Sequence, residues 1–147
     1  MATGTGKWFP LVLTSAFNKE IDLLDDSIKM MLCTSVLTIN QDTFQYKSSV
    51  TNEVANGNGY TTGGVILAND TISYNGATNV WKYDFDDVIW PAASFTARQA
   101  VVYDNTPASD ATRPLIGYIL FDADVAAAGG DFEINIDVNG FLTATAA

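Results

Sequence analysis

Thr71-Ile72-Ser73-Tyr74-Asn75-Gly76-Ala77-Thr78-Asn79-Val80-Trp81-Lys82-Tyr83-Asp84-Phe85 carries the plainest fold signal in this chain. Trp81, Tyr83 and Phe85 alternate with Lys82 and Asp84. A side-chain period of two is that of a β-strand, with the three rings on one face. Asn75-Gly76 marks a turn between this strand and Thr71–Tyr74, so the two segments form an antiparallel pair.

The same grammar runs outward in both directions. Phe95 to Tyr103 and Leu115 to Phe121 are richer in apolar residues at both parities, as expected of central strands, and Asp104 to Arg113 between them, with Asn105-Thr106-Pro107 and Ser109-Asp110, is a loop. Phe132, Ile134, Ile136 and Val138 alternate with Glu133, Asn135 and Asp137, and Asn139-Gly140 leads to Phe141–Thr145. That pattern predicts a closing hairpin. Upstream, Ile28 to Val36 reads as a buried strand and Trp8 to Leu13 as a short strand, with Pro10 favouring an edge. Ser15 to Asp26 has the spacing of a short helix. Thr38 to Asn58 is the longest polar stretch, a loop with at most one helical turn, anchored by Phe44, Tyr46, Val50 and Val54. About eight strands with short connections predict an all-β, mainly antiparallel fold: a β-sandwich or partly closed barrel with one long loop and a short helix. Residues 1–10, small and glycine-bearing up to Lys7, are expected to form a flexible N-terminal arm, and residues 11–147 a single β domain.

Composition narrows the function. The 147 residues are 48% hydrophobic and 16% charged, which fits a packed domain and not a disordered chain. Acidic residues outnumber basic ones 17 to 7 for a net charge of -10. Such a surface repels phosphate backbones, so nucleic acid is not an expected partner. No apolar run approaches the ~20 residues of a membrane span, and the start lacks a secretory pattern, so a soluble cytoplasmic product is expected. Histidine is absent. That removes the commonest general base and the usual nucleophilic triads. Cys33 is the lone cysteine and sits in the apolar run Ile28–Cys33, where a small buried hydrophobe is expected.

Carboxylates are then the remaining source of chemistry. Asp84, Asp86 and Asp87 form the densest cluster. They either bind calcium through hard oxygens or face solvent and cap the following turn. The turn reading is favoured because a twelve-residue calcium loop is missing, and no metal or other cofactor is expected. Asp22, Asp25, Asp26, Asp122 and Asp124 read the same way. Chance carboxylate pairs would allow a glycan hydrolase, but no enzyme is expected. Gly57-Asn58-Gly59-Tyr60-Thr61-Thr62-Gly63-Gly64 is followed by the strand-like Val65-Ile66-Leu67, so it reads as a set of tight bends and not a phosphate cradle. Trp81, Tyr83, Phe85, Phe95 and Tyr118 read as core. Trp8 and Phe9, beside the arm, and Trp90, before Pro91, are the candidates for a partner interface, with core packing as the alternative for each.

Four segments also resemble a family of small virion structural proteins of tailed bacteriophages. They are the Gly57–Gly64 turn, the aromatic run Trp81-Lys82-Tyr83-Asp84-Phe85-Asp86-Asp87-Val88-Ile89-Trp90, the opening Phe95-Thr96-Ala97-Arg98, and Pro114-Leu115-Ile116-Gly117-Tyr118. The resemblance spans roughly residues 11–147 and implies a capsid decoration (cement) protein. Its partner would be the major capsid protein, with self-association or a symmetric array on the shell, and its location the capsid exterior after assembly in the host cytoplasm. A tail- or fibre-associated module binding host surfaces is the alternative.

Overall fold

The computed structural model describes Ala2 and residues 4–146. Among these described residues, ten strands form three antiparallel sheets in an all-β, sandwich-like fold. The main sheet has the order β1 (Gly6–Trp8), β8 (Leu115–Ala126), β7 (Thr96–Asp104), β2 (Ile28–Cys33), β3 (Val65–Ile66). A second sheet runs β10 (Leu142–Thr145), β5 (Val80–Asp84), β4 (Thr71–Asn75), and a third pairs β6 (Val88–Ala93) with β9 (Gly130–Ile134).

The main sheet is apolar on both faces, which explains why β2, β7 and β8 show no clean alternation. Met30, Leu32, Ala100, Val102 and Ile116 face the two smaller sheets and pack with Tyr83, Phe85, Trp90, Phe132 and Leu142. Met31, Cys33, Val101, Tyr103 and Leu115 face the other way and form a second core with Phe9 and Tyr118. The long polar loop roofs that second core with Leu37, Ile39, Phe44 and Val50. Its one helical turn, Lys47–Ser49, is tied down by Lys47 N–H on the Arg113 carbonyl at 2.8 Å and by a Lys47–Asp110 ion pair at 2.9 Å.

Two expectations are corrected. The first concerns the arm. Gly6–Trp8 pair with Gly117–Ile119 of β8, and Phe9 is 0% exposed. Glycine permits this docking: a Cβ on Gly6 would stand 2.0 Å from the Phe141 carbonyl oxygen. The strand ends there, and Pro10 begins a turn into the helix α1 (Val12–Phe17), with Val12 N–H donating to the Phe9 carbonyl. The second concerns the closing hairpin. The turn exists, held by Asp137, whose side chain accepts from Asn139 N–H and whose carbonyl accepts from Gly140 N–H. Its flanks separate, however: β9 pairs with β6 and β10 with β5. The turn expected at Asn75-Gly76 is present: residues 76–79 join β4 to β5, which pair antiparallel, and Asn79 (φ 56) takes the left-handed conformation.

Candidate interaction surface

Register defines the faces of the second sheet. Ile72 lies opposite Tyr83, itself opposite Leu142; Tyr74 lies opposite Trp81, itself opposite Ala144. Directly opposed residues share a face, so these six side chains form one apolar surface. Its inner row is buried through Tyr83 and Leu142, while its outer part leaves the body. Every residue of β4 is exposed, Trp81 is 49% and Tyr74 48% exposed, and the two rings pack against each other at a tilt of 35° with centroids 5.0 Å apart. Trp81 was expected in the core with Tyr83 and Phe85. It shares their face, but the strand carries it past the edge of the layer beneath.

The surface continues beyond Ala144. That residue lines an apolar hollow of about 280 Å³ with Trp8, Pro10, Val12 and Leu13. Leu13 is 59% exposed and Phe17, one turn along α1, is 82% exposed. The strip from Phe17 and Leu13 through Ala144 to Trp81, Tyr74 and Ile72 contains no charged side chain. Contiguous exposed apolar surface of this kind marks interaction sites.

The three proposed interface residues separate on this structure. Trp8 is half-buried at the hollow, and its indole N–H donates to the Thr143 carbonyl at 2.8 Å, locking β1 to β10. Phe9 is sealed in the second core, 4.9 Å from the Tyr118 ring. Trp90 is 1% exposed between Tyr60 and Phe132. Phe9 and Trp90 are both buried inside a core of the fold and present no surface to a partner.

The carboxylates brace loops. Asp84 pairs with Lys82 at 3.1 Å, Asp86 accepts from the Asn69 amide at 2.7 Å, and Asp87 accepts from Ile136 N–H at 2.7 Å. Among the described residues no group of three or more His, Cys, Asp or Glu is arranged to hold a metal ion. The glycine-rich turn has its own internal anion: Glu53 accepts from Gly63 N–H and from the Tyr60 hydroxyl, and that hydroxyl accepts from Leu32 N–H. Burial, then Glu53, pushes the Tyr60 phenol above its ordinary range. Burial likewise pushes the Cys33 thiol up to about 12, leaving it without nucleophilic thiolate. No helix among the described residues is long and apolar enough to cross a membrane.

Asp104, read from sequence only as the start of a loop, is the one fully buried carboxylate in the described residues. One oxygen accepts from Thr106 N–H at 2.7 Å; the other has no partner. It borders a cavity whose other charged residues are Lys19, Glu20, Asp22 and Asp26. Burial, reinforced by Asp26, raises the Asp104 pKa. A raised carboxyl pKa stabilises the fold at acid pH, and that contribution is lost as pH climbs through the raised value. Asp104→Asn is therefore expected to gain about 1 kcal/mol at pH 7, because its amide can donate where the carboxylate cannot. Urea unfolding at pH 7 and pH 3.5 checks it: the gain should shrink at the lower pH.

Comparison with known proteins finds no matching family model, no matching curated protein and no matching solved structure.

Proposed function

We propose that this chain is a bacteriophage virion structural protein of the decoration type, binding the outer face of a major capsid protein lattice and stabilising the head. The uncharged apolar strip carries the reading. It offers ring and aliphatic surface for adhesion, without a convergent set of acid, base or nucleophile groups around it. The four sequence segments that resemble tailed-phage virion proteins supply the identity of the partner.

The mechanism is additive. A single strip of this size binds weakly, but each copy also bridges neighbouring lattice subunits, so the shell cannot open without breaking many contacts together. The acidic remainder slows non-specific association of free copies and fits a surface held away from packaged DNA. Heads lacking the protein should release DNA at a lower temperature than complete heads, and added protein should restore the difference. Identical release temperatures would count against the reading. The exposed Tyr74–Trp81 pair would also suit the flat faces of sugar rings. That favours, as a second reading, a tail- or fibre-associated module for host surfaces, present only at a tail position.

A further inference from the structure

The edges of the three sheets are guarded unequally. β1 has three residues, one of them the exposed Lys7, and β3 has two. β6 contains Pro91 and a register shift between Trp90 and Ala93. β9 carries Asp131 and Glu133, and the Glu133 carbonyl is taken by Ala2 N–H. The Thr143 carbonyl of β10 is taken by the Trp8 indole. Short length, proline, bulges, charge and covering groups are the devices that stop edge-to-edge pairing. β4 has none of them. It is five residues long, pairs with β5 without interruption, is exposed throughout and reads Thr71-Ile72-Ser73-Tyr74-Asn75.

We propose that β4 is a self-association edge, pairing antiparallel with β4 of a second copy about a two-fold axis through Ser73. Charge selects the occupant. Two copies of a chain with net charge -10 repel over most of their surface, whereas the hairpin from Thr71 to Trp81 holds no charge. The register is also compatible with the side chains. Ile72 of one copy meets Tyr74 of the other on the apolar face, and Thr71 meets Asn75 on the polar face. Asp70, just outside the strand, falls opposite Gly76 and so meets no second carboxylate. The result is one six-stranded sheet, closing an edge that is otherwise open. Five residue pairs bury less than a stable interface needs, so the dimer is weak, with a Kd in the range of about 10 µM to 1 mM.

This pairing does not depend on lattice binding and is tested on the isolated protein. Sedimentation equilibrium should show a concentration-dependent monomer–dimer exchange. Ser73→Lys, which sets two ammonium groups face to face at the axis, should weaken it at least roughly tenfold, while Leu13→Lys, outside β4, should leave it unchanged. Amide exchange at residues 71–75 of the unmodified protein should slow as concentration rises, a readout that needs no variant. A protein that stays monomeric at millimolar concentration, or a dimer indifferent to Ser73→Lys, overturns the proposal.

Discussion

Trp90→Ala is expected to remove about 3–5 kcal/mol of folding stability, a large share of the ~5–15 kcal/mol that holds a domain of this size. The indole is 1% exposed and packs edge-on to Phe132 at 5.9 Å and nearly parallel to Tyr60 at 6.5 Å. Its removal empties the junction between the main sheet and the β6–β9 pair. The unpartnered indole N–H offsets part of the gain from burying the ring, so Trp90→Phe should be much milder. Urea unfolding followed by circular dichroism measures both. A loss below 1 kcal/mol for Trp90→Ala would return this residue to the surface role its position before Pro91 suggests.

Trp81→Ala is expected to do the opposite: little to the fold, much to adhesion. Half of the ring is already in water, so its truncation should cost under about 1 kcal/mol of stability. At the centre of a protein interface an aromatic anchor typically contributes 2 kcal/mol or more, so affinity for the lattice should fall roughly thirty-fold per copy. Tyr74→Ala should add less than its separate effect, because the two rings contact each other and share one footprint. Binding of purified variants to heads lacking the protein, set beside their unfolding curves, separates the two roles. Trp81→Ala protein that saturates heads as the unmodified protein does would place the contact surface elsewhere.

Alternation and turn residues made the strands legible, and two-sided apolar runs identified β7 and β8 as central. What alternation lacks is an address. Phe132 to Val138 has a strand's pattern and Asn139-Gly140 a turn's, yet Asp87 binds Ile136 N–H and Asp137 holds the turn, sending the chain from one sheet to another. Nothing local encodes that, because Asp87 lies 49 residues upstream. The placement of Trp81 was lost for a related reason. Its face is fixed by parity, but whether the layer beneath extends that far depends on strand register. Two weak signals were available: the uncharged run from Thr71 to Trp81, and Tyr74 across the turn from Trp81. Glycine at the start of the chain suggested freedom, whereas Gly6 is there to let β1 approach the Phe141 backbone. Asp104 illustrates the same limit, since an acid at a strand end looks solvated until the fold buries it.

Titration of purified protein onto heads that lack it tests the adhesion account most directly. Saturation is expected at a fixed number of copies per repeating lattice position, with the exposed ring of Trp81 shielded in the bound state. Absence of binding, or binding confined to the tail, would contradict it.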